Sequence, residues 1–201
     1  MTIRLLTLNL WNISEPLEPR YHALAAGLKK LRPEIVCLQE VDRDPESGRS
    51  QAELVADMCR LNHHVGEDGL SIISSQPAVR SVIEPLPQMP GDPPRRVLLA
   101  EFVVGARRLL VANTHLAYRP KMVEGRRKQA QAALTAIRRH YPKPGDCPKV
   151  LCGDFNDVAD SPAIRLVLND VLGFRDAFRE CHPRSRGYTY SPPQNPYVDP
   201  C

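Results

Sequence analysis

An α+β sandwich, with helices covering the outside of packed β-sheets, is the architecture that this 201-residue sequence predicts. Helix–strand alternation at both ends of the chain flanks a central block of consecutive, antiparallel-looking strands. Neither G-x-G-x-x-G nor a P-loop pattern occurs, which removes the two commonest nucleotide-binding alternatives. A simple parallel doubly wound sheet fits less well, because the central strands follow one another without intervening helices.

Residues 3–9 (I-R-L-L-T-L-N) form a β-rich apolar run ending in polar Asn9, with Trp11 and Asn12 just beyond. Tyr21, Leu24, Ala25, Leu28 and Leu31 then share one helical face, and Pro33 closes that helix. Residues 34–40 (E-I-V-C-L-Q-E) read as a second buried strand with a polar end. Leu54, Val55, Met58 and Leu61 mark a second amphipathic helix, and residues 64–68 read as a short connection. From Gly69 the period changes. Residues 70–74, 79–86, 96–104 and 108–114 are consecutive strands, the last two joined by a tight Gly105-Ala106 turn. A long helix over about 122–141 turns Ala130, Leu134, Ile137 and Tyr141 inward. On the same helix Arg126, Arg127, Lys128, Arg138 and Arg139 read as a solvated outer face. Residues 150–152 make another strand running into G-D-F-N, and Ser161 with Pro162 starts a short helix through about 168.

Hydrophobic content of 42% and charged content of 25% are ordinary for a globular domain. Most of the twenty prolines fall in stretches 14–19, 85–94, 141–148 and 191–200, and the first three give way at once to strong patterns. They therefore read as stiff loops within one domain, 1–201. A net charge of +4 permits a polyanionic or phosphorylated partner without demanding one. No apolar run approaches the roughly 20 residues that span a bilayer, so stable membrane insertion is not expected. The first apolar run reads directly as a strand with no leader-type core and cleavage site, so a cytoplasmic location is expected. Of the six cysteines, Cys37 and Cys152 lie inside apolar strand runs and no C-x-x-C pair exists, so reduced structural thiols are expected. Nothing indicates an obligate protein partner.

Four strands end in residues of the kinds that phosphoester chemistry needs. Strand ends hold side chains in fixed positions at an open surface. Glu40 is a hard oxygen donor suited to Mg²⁺ or Mn²⁺, or else a solvated strand terminus. Asn9 could orient a metal-bound water, or hydrogen-bond a turn. His115, in N-T-H-L, could stabilise charge on a phosphoryl oxygen or act as a general acid; alone it would read as a half-buried histidine with its needs met. In Gly153-Asp154-Phe155-Asn156 the period of two sets Asp154 and Asn156 on the same side. One can align or deprotonate a water and the other can donate to a developing phosphorane oxygen, although D-x-N also favours Asx-turns.

The segments T-L-N-L-W-N, L-Q-E-V-D, G-L-S-I-I-S-S-Q-P, N-T-H-L and G-D-F-N-D stand in the order and approximate spacing of the endonuclease/exonuclease/phosphatase superfamily, which the sequence resembles from about residue 3 to 156. The resemblance implies an α/β four-layer sandwich, two mixed or antiparallel sheets packed face to face with helices outside. It implies Mg²⁺-dependent, in-line attack of water on phosphorus. By motif, Asn9 and Glu40 would hold the metal, with Glu40 the principal ligand. Asn9, His115 and Asn156 would contact the substrate phosphate, and His115, Asp154 and Asn156 would carry catalysis. The substrate class (nucleic acid, phospholipid or small phosphodiester) stays open, as does diesterase against monoesterase chemistry.

Two features depart from the family pattern. Its R-I-D-type strand and S-D-H motif, which supply an Asp–His dyad, are absent, and the sequence ends in a loop after Tyr188. The 64–68 connection is also shorter than the strand and loop usual there. A non-catalytic phosphoester- or nucleic-acid-binding module, or an inactive fragment, is the alternative that these departures leave.

Overall fold

Strand Ile35–Gln39 is buried at every position, which requires cover on both of its faces. The computed structural model describes residues 2–67, 69–142, 147–185 and 187–190, and it supplies that cover. The elements run β1 (Leu5–Asn9), α1 (Leu17–Leu31), β2 (Ile35–Gln39), α2 (Gln51–Cys59), β3 (His63–Glu67), β4 (Leu70–Ser74), β5 (Arg80–Pro85), β6 (Arg96–Val104), β7 (Arg107–His115), α3 (Val123–His140), β8 (Lys149–Asp154), α4 (Pro162–Leu168) and α5 (Ala177–Cys181). They build two four-stranded mixed sheets, ordered β1-β2-β4-β3 and β5-β6-β7-β8.

The period of two sorts each strand's side chains between layers. Ile35 and Cys37 pack with Ile72, Leu98, Ala100 and Phe102 between the sheets. Val36 and Leu38 point the other way, onto Leu28, Val55 and Ala52 of α1 and α2. On the second sheet Val97, Leu99 and Leu110 meet Ala130, Leu134 and Ile137 of α3, with Ala163 and Val167 of α4. The result is helix, sheet, sheet, helix: the four-layer α/β sandwich expected.

Among the described residues only β1–β2 and β7–β8 are parallel pairs, and each is joined through a helix, α1 and α3 respectively. A parallel pair puts both C-terminal ends at one sheet edge. Both pairs deliver those ends to the same place, because Asn9 at the end of β1 hydrogen-bonds Asp154 at the end of β8. The sheets are also locked beneath that point. Fully buried Gln39 donates to Asn113 Oδ1 at 2.7 Å, and Asn113 Nδ2 donates to the carbonyls of Leu38 and Ser71.

Several expectations need correction. Residues 63–67 are not a bare connection but an edge strand paired antiparallel with β4; the polar sequence His63-His64 hid it. Helix α1 begins earlier, at Leu17, and Leu31 is exposed at its end, where Arg32 turns left-handed at φ 48°. The short α5, capped by Asp176, carries no apolar periodicity that would have marked it. Arg126 is not on a solvated face, being only 3% exposed. Most of the stretch after Tyr188 that was expected to be a loop, residues 191–201, lies outside the described residues. No helix among the described residues is long and apolar enough to cross a membrane.

Candidate active site

The end of β1 turns sharply. Trp11 and Asn12 both take positive φ, at 57° and 43°, and Arg20 of α1 holds the bend by donating to the carbonyls of Leu10, Asn12 and Ser14. The guanidinium also lies over the Trp11 ring, 5.1 Å from its centroid. The end of β2 turns likewise, with Glu40 at φ 51°. Among the described non-glycine residues with positive φ, Arg32 and Arg60 close helices, whereas Trp11, Asn12, Glu40 and Asn156 all stand at this one edge. Strained backbone persists where the surrounding structure fixes it, and such residues gather at functional sites.

Asn9 is the centre of the cluster. Its Nδ2 donates to Glu40 Oε1 at 2.8 Å and to Asp154 Oδ2 at 2.9 Å, while its Oδ1 accepts the Trp11 backbone N–H. Asn12 Nδ2 donates to the other Glu40 oxygen at 3.3 Å. Two carboxylates from different sheets thus share one amide, which spaces them and leaves each oxygen free lone pairs.

Asp154 ends β8 directly after Gly153, whose φ of 130° favours glycine. A Cβ there would stand 1.9 Å from the Thr114 carbonyl oxygen, so only glycine lets β8 lie this close to β7. Asp154 Oδ1 accepts the Asn156 backbone N–H at 2.8 Å, and Asn156 Nδ2 donates to the Leu116 carbonyl at 2.9 Å. The Asx-turn reading therefore holds for one oxygen of Asp154 while the other faces Asn9. The alternation that set Asp154 and Asn156 side by side stops at Asp154, because Asn156 leaves the strand with φ 50°.

His115, at the end of β7, lies with its Nε2 3.8 Å from Glu40 Oε1. Among the described residues, that nitrogen alone is a buried side-chain N or O atom without a hydrogen-bond partner. Burial, then the charge of Arg95, push the His115 pKa below its ordinary value, against opposing effects of Asp154, Glu40 and Asp92. The ring is therefore neutral near pH 7, with one polar atom aimed into the cluster. Next to it opens a cleft of about 410 Å³ whose lining includes Asn12, Glu40, Asp42, Arg95, His115 and Tyr118. Arg95 is fixed by a two-point pair with the buried Asp92, at 2.7 and 3.1 Å.

All five residues singled out in the sequence (Asn9, Glu40, His115, Asp154 and Asn156) thus meet at one edge. Sequence reasoning missed Arg20, Gln39, Asn113, Arg95 with Asp92, and Arg126 with Asp157. Arg126 carried a signal: it sits four residues before Ala130, in phase with the inner face of its helix.

The profile of the Endonuclease/Exonuclease/phosphatase family matches residues 6–200. The chain is 29% identical over 173 residues to "Protein angel homolog 2" of Danio rerio, covering 77% of this chain and 30% of the zebrafish protein. It thus spans less than a third of that relative's length. Among solved structures, the human Nocturnin catalytic domain with bound sulfate anion superposes with a TM-score of 0.74 at 20% identity, over 92% of this chain and 75% of that one. ANGEL2, described as a 2′,3′-cyclic phosphatase and solved with adenosine-2′,3′-vanadate, gives a TM-score of 0.54 at 22% identity, over 72% of this chain and 46% of its own.

Proposed function

The chain belongs to the Endonuclease/Exonuclease/phosphatase family, and we propose that it is a Mg²⁺-dependent hydrolase that cleaves a nucleotide-type phosphoester by in-line attack of water. The observation that carries this reading is the Asn9 amide shared between Glu40 and Asp154, with the unpartnered His115 Nε2 beside them. The nucleotide class is supported by the angel relatives, one of which is described as a 2′,3′-cyclic phosphatase.

The donor set fits a hard divalent ion. Mg²⁺ is commonly bound by one or two carboxylates and keeps several waters. Among the described residues no three His, Cys, Asp or Glu side chains form an all-protein cage, so a borderline ion such as Zn²⁺ is the poorer fit. Glu40 and Asn9 would hold the ion; once bound, it neutralises charge on the phosphoryl oxygens. His115, neutral and poor in solvent, donates a hydrogen bond from Nε2 to a phosphoryl oxygen. Asp154 Oδ2, held at a fixed angle by Asn9, accepts from the attacking water and sets its line of approach. Asn156 keeps a second amide hydrogen for an equatorial oxygen. The cleft beyond Tyr118 receives the leaving group.

Hydrolysis of adenosine 2′,3′-cyclic phosphate, a bis-aryl phosphodiester and sphingomyelin, each with Mg²⁺ or EDTA, tests the proposal. Mg²⁺-dependent turnover that favours the cyclic nucleotide supports it. Preference for sphingomyelin would overturn the nucleotide class. Binding of adenosine-2′,3′-vanadate without turnover of any substrate would favour a non-catalytic phosphoester-binding module.

A further inference from the structure

Helix α3 sends one charged side chain into the protein. Arg126, on its first turns, has a side chain 4% exposed, and its partner Asp157 is nearly as buried. Nε donates to Asp157 Oδ2 at 2.9 Å. Nη1 donates to the carbonyls of Ala117 and Arg119 at 3.2 and 2.8 Å, and Nη2 to that of Pro120 at 3.3 Å. Each of these acceptors belongs to one of two loops. Residues 117–120 continue directly from His115 and Leu116, and Asp157 follows Asn156. The neighbouring Gln129 reinforces the first loop by accepting the Ala117 N–H at 2.9 Å.

The geometry points to Arg126 as a positioning residue that fixes His115 and Asn156 relative to each other by tying both of their loops to α3. Charge neutralisation alone does not account for the arrangement. A buried ion pair is weak evidence for stability, and apolar residues of similar volume often replace one without loss. What Arg126 supplies is a planar fork whose donors reach four acceptors on two segments. Lysine, a single point charge, does not reproduce that. A clamp of this kind acts on the chemical step, because an error of about 1 Å between reacting groups costs on the order of 10²-fold in rate.

The kinetic half of this inference rests on the phosphoesterase reading, and the structural half stands without it. Two measurements on the full chain separate them, with the variants Arg126→Lys and Asp157→Asn. The first is amide hydrogen exchange at Leu116 and Asn156, whose N–H groups bond to Asp154, against the α3 core amides of Leu134 and Ile137. In Arg126→Lys the first pair should exchange roughly tenfold faster or more while the α3 core amides hold their rates, the pattern of a local opening. The second is steady-state kinetics, where kcat should fall about 10–100-fold with KM changed less than about threefold. Unchanged exchange at Leu116 and Asn156, or equal acceleration of all amides, overturns the clamp. Altered exchange with kcat preserved overturns its role in the chemical step. Inactivity of the wild-type chain would sink the phosphoesterase reading, and the exchange result would still decide the clamp.

Discussion

Asn9 Nδ2 donates to Asp154 Oδ2 at 2.9 Å across the two sheets, joining residues 145 positions apart. Because the same nitrogen also donates to Glu40, the amide sets the distance between the two carboxylates that the mechanism uses separately. Asn9→Ala should cost about 10²-fold in kcat, the usual order for one preorganised donor. Asn9→Asp should cost at least as much, since three carboxylates together disfavour their charged forms. Circular dichroism and steady-state assays on both variants check this; an Asn9→Asp enzyme of wild-type kcat would refute it.

Gly153 controls how closely β8 approaches β7. Gly153→Ala places a methyl group 1.9 Å from the Thr114 carbonyl oxygen, and backbone cannot swing aside as a side chain does. The variant should therefore lose the 7–8 strand pairing near His115 and Asp154, or fail to fold. Thermal unfolding and turnover measured together should both fall, and a stable, active Gly153→Ala protein would contradict this account.

Much of this was legible in the sequence because the fold is built from strong local patterns. Strands of uniformly apolar residues announced cover on both faces, and the polar residues closing them marked the edge where the site forms. The relation of the two sheets was not legible, since nothing in L-Q-E or N-T-H says that Gln39 and Asn113 face each other. Edge strand β3 was hidden because Val65 is its one apolar side chain reaching the layer between the sheets, which leaves no alternation to read in H-H-V-G-E. Arg126 was misjudged because its charge outweighed its helical phase in the reading.

The Gln39–Asn113 lock makes a stability prediction. Asn113→Ala leaves the carbonyls of Leu38 and Ser71 without its amide and takes from Gln39 Nε2 its shortest acceptor, with Thr7 Oγ1 and the Cys37 carbonyl remaining, at a cost of about 2–3 kcal/mol. For a chain of this size that is a fall in Tm of about 5–10 °C. The double variant Gln39→Leu/Asn113→Leu should recover part of the loss, because leucines refill the space and the buried Gln39 amide is gone, so that only the Leu38 and Ser71 carbonyls go without Asn113. Calorimetric scans of the two variants decide it: a double variant no more stable than Asn113→Ala would contradict the coupling of the two amides.

His115 gives the sign of a pH effect. Its folded pKa lies below the ordinary 6.5 because burial and Arg95 disfavour the charged ring. Between those two values the unfolded chain binds more protons than the folded one, so stability falls as pH drops below about 6.5 and levels off beneath the folded pKa. Melting curves in EDTA from pH 7.5 to 5 should show this decline, and His115→Asn should flatten it. An unchanged slope in His115→Asn would assign the effect to another group.

In the proposed mechanism the phosphoester centre is metal-dependent and organised on Glu40. The most direct measurement is turnover of adenosine 2′,3′-cyclic phosphate as a function of Mg²⁺, after EDTA treatment, for wild type and Glu40→Ala. Mg²⁺ should restore wild-type activity, and Glu40→Ala should stay on the order of 10³-fold slower at any Mg²⁺ concentration, as loss of the main charged ligand implies. Activity that persists in EDTA, or a Glu40→Ala enzyme with the wild-type response to Mg²⁺, would contradict it.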